Sequence, residues 1–319
     1  MPSTLRYSSP QSSFNPSFWE ALYHRKLNLY KLSDESVEIR AKFTIGSDVE
    51  NGSFYFSEKS FTGDFDLLLA FGKMLNLNSV EEFTEYDKKK ELETLSSKLF
   101  QSIVSGEAIK NPWLLTEFFL LTFADLKSYK FLYWFCLPAV VPPNPFQFEY
   151  AGLLGQYQDL GNSKILNVIY SHFQENTFSR SVHLFAVLDF PGVECPQVVS
   201  LSEAWSHRFE QYCHFIIVDQ SYTSESLGWI SRNFLMLALL YSGAAPSCQS
   251  LVGQEKITIR SGKIRLIGIR NSLLRKENFL NSPLEDLSKF SLSIVWRLLT
   301  SPPLSARRSK RPRRSYFGA

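Results

Sequence analysis

The chain has 319 residues, the length of about two domains at roughly 150 residues each. Its 44% hydrophobic, 20% charged and 15% aromatic content supports a buried core and excludes a mostly disordered or fibrous chain. The net charge of +3 belongs to one end: Arg307, Arg308, Lys310, Arg311, Arg313 and Arg314 supply six of the 34 basic residues, and without them 28 basic face 31 acidic residues, a body of −3.

Residues 1–17 carry six serines and three prolines, so they read as a flexible lead-in. Phe18, Trp19, Leu22, Leu29 and Leu32 suggest a helix with an aromatic face. Val37, Ile39, Ala41, Phe43 and Ile45 then alternate with polar residues, which signals a strand. Leu92, Leu95, Leu99 and Ile103 recur at helical spacing, and Gly106 stands where a left-handed cap would close that helix. Asn111-Pro112 reads as an N-cap with proline at the first helical position. The apolar stretch Phe118–Val141 is broken only by Lys127–Lys130, which predicts two buried strands about a turn. Pro138, Pro142, Pro143 and Pro145 end it, and residues 142–162 read as a loop at a subdomain boundary.

In the second half, Val182–Asp189 and Phe215–Asp219 read as strands, and Leu201–Tyr212 and Trp229–Tyr241 as helices. Ile257–Ile259 and Ile264–Ile269 flank Ser261-Gly262, a hairpin signal. Ser282-Pro283-Leu284-Glu285 combines an N-cap, a first-turn proline and a capping-box glutamate, so Leu287, Ile294, Val295 and Leu298 read as the stripe of a helix ending near Leu299. Residues 301–319, proline-led and arginine-rich, read as disordered. The expected fold is α+β: mixed sheets with flanking helices in two subdomains, 18–145 and 146–300, and no complete nucleotide-binding Rossmann-type domain.

Signatures of catalysis are missing. Gly152-Leu-Leu-Gly155 lacks the third glycine and the strand–turn–helix setting of a phosphate site, and no Gly-Lys-Ser/Thr loop, nucleophile elbow or His-Glu-x-x-His occurs. His207, Cys213 and His214 lie close in sequence, but the predicted helix and turn point them apart, and a fourth zinc ligand is absent. His24, His172 and His183 read as surface or hydrogen-bonded structural residues. Cys136, Cys195, Cys213 and Cys248 have no paired spacing, which fits reduced thiols in a cytosolic compartment. The longest apolar runs are far short of the roughly 20 residues of a membrane span, and no leader opens the chain, so a cytoplasmic protein is expected. The body charge speaks against nucleic-acid binding, which leaves the basic tail as its only candidate site.

The run Leu120–Lys127, followed by Tyr129 and Tyr133–Ala139, resembles the N-terminal pattern of one family. This is the autophagy-related protein seven family, the ubiquitin-activating-enzyme-like activators of the autophagy modifiers. Phe18-Trp19, Lys26–Asn28 with Tyr30, Asp87–Lys89, Ser105-Gly106 with Asn111-Pro112, Gly228-Trp229 with Arg232–Leu235, Leu251–Gln254 and Trp296–Leu298 match in the family's order. The resemblance implies an N-terminal domain that recruits the conjugating enzymes, autophagy-related proteins three and ten. It implies a pathway that attaches ubiquitin-like proteins eight and twelve, with a location in the cytoplasm and at the preautophagosomal structure. In the family a C-terminal adenylation domain holds ATP and magnesium, carries the catalytic cysteine and forms the homodimer. Here the sequence passes after Trp296–Leu298 into Pro302-Pro303 and the basic tail, so it reads as truncated before that domain, as an isoform or a gene-model product. Docking without adenylation is therefore the expected activity. The alternatives are complete activating function with the catalytic domain supplied elsewhere, and nucleic-acid binding through the tail.

Gly228-Trp229 is followed by Ile230 where the family has proline. With Phe234 and Leu235 assigned to the core, Trp229, Ile230 and Arg232 are left at an exposed helix start and are the expected partner-binding residues, since tryptophan and arginine often anchor interfaces.

Overall fold

The computed structural model describes residues 3–4, 6–43, 53–65, 69–140, 147–153, 162–175, 184–208, 210, 212–219, 226–241, 263–269 and 293–299. The fold is α+β. In the first half, strands β1 (Ser3–Thr4), β2 (Arg6–Ser8) and β3 (Gln11–Phe14) precede helix α1 (Pro16–Arg25), which a π-helical turn, Lys26–Tyr30, extends. Next come β4 (Val37–Phe43), β5 (Ser53–Phe56), β6 (Leu69–Leu77), α2 (Val80–Glu85), α3 (Lys88–Val104) and α4 (Glu107–Lys110). Strands β7 (Phe118–Asp125) and β8 (Lys130–Cys136) form a hairpin. The second half holds β9 (Gln147–Leu153), α5 (Asn162–Glu175), β10 (Leu184–Leu188), β11 (Gln197–Val199), α6 (Leu201–Ala204), β12 (Cys213–Val218), β13 (Ser226–Gly228), α7 (Trp229–Tyr241), β14 (Lys263–Ile269) and β15 (Ser293–Leu299).

A six-stranded sheet has the order β3-β5-β4-β6-β7-β8, and a seven-stranded sheet the order β1-β9-β15-β14-β12-β10-β11. Both are mixed: β6 runs parallel to β7, and β12 parallel to β14, with antiparallel neighbours on either side. Strand β2 joins β13 in a separate parallel pair. The N-terminal segment is thus not a loose lead-in. It lends a strand to each assembly, with Ser3 opposite Phe148, Tyr7 opposite Leu227 and Phe14 opposite Phe56. Its serines are compatible with this because a short strand needs main-chain partners more than apolar side chains.

Helix α3 covers the predicted stripe and buries Leu99 and Ile103. Gly106 follows with φ 77°, the left-handed cap expected at that position. Asn111 offers no side-chain cap, and Pro112–Thr116 is a 3-10 turn. Of the two strands predicted as buried, β7 is, but β8 is the sheet's last strand and half open to solvent. Residues 147–153 of the expected loop form β9. Leu201–Tyr212 is helical only at its start. Ser200 and Glu203 make the capping box, then the chain turns so that Tyr212 accepts a bond from Asp189 N and Cys213 enters β12. Lys263–Ile269 is a strand as predicted, but it pairs with β12 and β15. The expected C-terminal helix is replaced over 293–299 by β15, which lies between β9 and β14. The other arm of the predicted hairpin, residues 257–259 before Lys263–Ile269, and the tail 301–319 lie outside the described residues.

One hydrophobic core runs through both halves, from Phe18, Phe54, Phe56 and Phe118 to Phe215, Phe234 and Leu266. A buried asparagine joins them. Asn233 on α7 donates from Nδ2 to Leu115 O and Pro138 O, each at 3.0 Å, and its Oδ1 accepts from Val140 N at 3.3 Å.

Candidate partner-binding surfaces

The start of α7 is built from three distant pieces of chain. Asp219, buried just past β12, accepts at Oδ1 from Gly228 N (2.6 Å) and Ser231 Oγ (2.9 Å). A carboxylate here satisfies the helix start and its positive dipole end. Pairing of β2 with β13 sets Tyr7 beside the same turn. Arg232 places its guanidinium carbon 5.1 Å from the Tyr7 ring centroid and 5.6 Å from that of Trp229. Burial holds the Arg232 pKa below its ordinary value and raises that of Tyr7. Neither Arg232 Nε nor Tyr7 Oη finds a hydrogen-bond partner among the described residues.

The three residues expected at an exposed helix start are therefore placed differently. Ile230 is fully buried, which corrects the expected exposure; Trp229 packs partly against the core, and Arg232 is half-buried. The physical reason is that α7 is buried nearly all round, since Ser231, Asn233 and Met236 are enclosed together with Phe234 and Leu235. Assigning two residues to the core does not free the others.

A second surface lies at the β7–β8 hairpin. Asp125 organises its turn, accepting from Lys127 N (3.0 Å), Ser128 N (3.3 Å) and Ser128 Oγ (2.5 Å), and the Ser128 bonds hold its carboxyl below the usual range. Tyr129 takes a left-handed φ of 53°. Along β8, Phe131, Tyr133 and Phe135 share one face. The ring of Trp19 stacks on Phe131 at 5.2 Å, Phe14 meets Tyr133 at 4.5 Å, and Phe54 meets Phe135 at 5.0 Å. On the other face Trp134 lies 6.3 Å from Phe119. Despite these contacts Tyr129, Tyr133 and Leu132 remain 54%, 46% and 39% exposed. Residue-type reasoning missed this surface because an apolar run reads as core; only the position of β8 at the end of the sheet exposes it.

Nothing among the described residues gathers into a metal site or a nucleophilic pair. His207 Nδ1 lies 3.1 Å from Tyr212 Oη, while Cys213 and His214 are enclosed in β12. Burial pushes the thiols of Cys136 and Cys213 up to about 12, far from reactive thiolates. No described helix is long and apolar enough to cross a membrane.

Comparison with known proteins agrees with the fold. The family model described as "Ubiquitin-like modifier-activating enzyme ATG7 N-terminus" matches residues 5–277. ATG7 of Gallus gallus is 32% identical over 246 residues, 74% of this chain and 34% of the relative. ATG7 of Homo sapiens is 31% identical over 248 residues, with shares of 74% and 34%. The chain spans only about a third of the length of these curated relatives. The crystal structure of Kluyveromyces marxianus Atg7NTD superposes with a TM-score of 0.58 at 18% identity, covering 92% of this chain and 89% of that one. In the Kluyveromyces marxianus Atg7NTD-Atg10 complex the matched chain has the same TM-score at 17% identity, with 94% and 88% covered.

Proposed function

Because the chain belongs to the family of the ubiquitin-like modifier-activating enzyme ATG7 N-terminus, we propose that it docks conjugating enzymes for the autophagy ubiquitin-like proteins. One observation carries this reading: a domain of the same fold, covering 94% of this chain, forms a complex with Atg10. In this reading the partners are the conjugating enzymes of the Atg10 type and autophagy-related protein three. Ubiquitin-like proteins eight and twelve, ATP and magnesium are handled by the part of the enzyme that this chain does not match. The buried, protonated thiols of Cys136 and Cys213 are unsuited to thioester chemistry at those two positions. Trp229 and Arg232 keep part of their surface exposed and serve as contacts, while Ile230 is buried. In this reading the protein works in the cytoplasm and at the preautophagosomal structure.

Titration calorimetry tests the proposal. The purified chain should bind the Atg10-type conjugating enzyme of the same organism saturably at one to one. It should also support no modifier-dependent pyrophosphate exchange. Absence of binding would overturn the docking role, and a reducible modifier adduct on this chain would overturn the division of labour.

A further inference from the structure

The two large sheets present four outer strands, and three are protected by brevity: β1 has two residues, β11 three and β3 four. Strand β8 has seven. It pairs with β7 in unbroken register from Phe119↔Cys136 to Asp125↔Lys130. In an antiparallel strand alternate residues point N–H and C=O away from the neighbour. No described strand takes those groups on β8. Proteins usually blunt such an edge with proline, a bulge or several charges. Between Lys130 and Cys136 there is no proline and no bulge, and Lys130 is the only charge. Exposed Leu132 and Tyr133 stand there instead, with the rings of Phe14 and Trp19 against Tyr133.

We propose that β8 receives an extended segment of the partner as an added antiparallel strand, with apolar side chains toward Trp19 and Tyr133 and an acidic residue at the segment's C-terminal end. The inference rests on the docking reading above. Charge sets the direction. Lys127 and Lys130 make no ion pair among the described residues; Asp125, which stands opposite Lys130 in the ladder and feels its charge, spends its oxygens on the hairpin turn. An antiparallel guest brings its C-terminal end to Lys130, the first residue of β8, so an acid there meets both lysines. A second copy of this chain does not fit as well. Two-fold pairing of β8 with itself sets Lys130 opposite Cys136 and brings no acid.

Amide hydrogen exchange and calorimetry with the Atg10-type conjugating enzyme of the same organism decide the matter. Binding should slow exchange at alternate residues of Lys130–Cys136 by at least about tenfold, as new ladder bonds form. Lys130→Glu, which reverses the exposed charge, should weaken affinity by about tenfold, the scale of one lost bond to a charged group. Leu132→Lys, a charge of the kind that protects natural edges, should weaken it similarly. Both variants should melt as the unaltered chain does. If the unaltered chain binds while the β8 amides and both variants behave normally, the edge proposal fails and the docking role stands. If the unaltered chain does not bind, both fail. Slowed exchange that follows protein concentration, with a dimer by light scattering, would assign the edge to a second copy and overturn the proposal.

Discussion

Asn233→Ala is the sharpest test of how the two halves of the fold are held together. The side chain bonds Leu115 O, Pro138 O and Val140 N at 3.0, 3.0 and 3.3 Å inside the core. Alanine leaves two carbonyls and one N–H without this partner. A stranded buried polar group costs about 1–3 kcal/mol, and entry of a water into the vacated space offsets part of that. The expected loss is about 2–4 kcal/mol, a large share of a total that for folded domains is about 5–15 kcal/mol. Urea unfolding followed by tryptophan fluorescence should show the midpoint falling with an unchanged denaturant slope. Asn233→Asp separates hydrogen bonding from packing, because it keeps the shape and the acceptor for Val140 but turns a carboxylate toward two carbonyl oxygens. Its folded pKa should lie above the ordinary value of about 4. The folded state then holds the proton longer than the unfolded state. The variant should be most stable, relative to the unaltered chain, below about pH 4, and should lose that stability as pH rises through the folded pKa. Losses under about 1 kcal/mol for both variants, or no relative gain for Asp at acid pH, would refute the argument that Asn233 joins the halves.

Arg232→Glu should weaken conjugating-enzyme binding by about 1–3 kcal/mol through loss of bonds to a charged group; unchanged affinity in a folded variant would remove the α7 start from the docking face. Gly106→Ala forces a φ of 77° on a residue with a Cβ and should cost about 1–2 kcal/mol in urea unfolding. In Gly72→Ala the new Cβ falls 2.5 Å from both the ring and the carbonyl oxygen of Phe118, so β6 and β7 must part; a loss of about 1–3 kcal/mol is expected from overpacking. Thiol labelling mapped by mass spectrometry should mark exposed Cys195 at once and buried Cys136 and Cys213 only on unfolding. With the latter two thiols pushed up to about 12, the unfolded chain ionises first. Stability should be complete below the ordinary thiol pKa and decline as pH rises toward 12; a flat alkaline profile for the unaltered chain against its Cys136→Ala and Cys213→Ala variants would refute the assignment.

Local signals in the sequence determined a good deal. The alternation at Val37–Phe43, the stripe and glycine stop of α3 and the full extent of α7 were legible, because each is set by neighbours within a turn or a few residues. The run Leu120–Lys127 carried the family, since its strand and its Asp125-centred turn are encoded side by side. What tertiary structure alone decided is pairing and exposure. Serine-rich β1 to β3 are strands only because Phe148, Leu227 and Phe56 stand across from them, in two cases more than a hundred residues away. Residues 293–299 have helical spacing but become β15 because β9 and β14 offer two open ladders. At the candidate surfaces the same limit applied. Ile230 is enclosed because most of the described face of α7 is covered, and Tyr133 is open because no described strand follows β8 in its sheet. Hydrophobicity tells which residues favour leaving water, but the free energy is gained only where a partner surface arrives, and that arrival is a property of the whole chain.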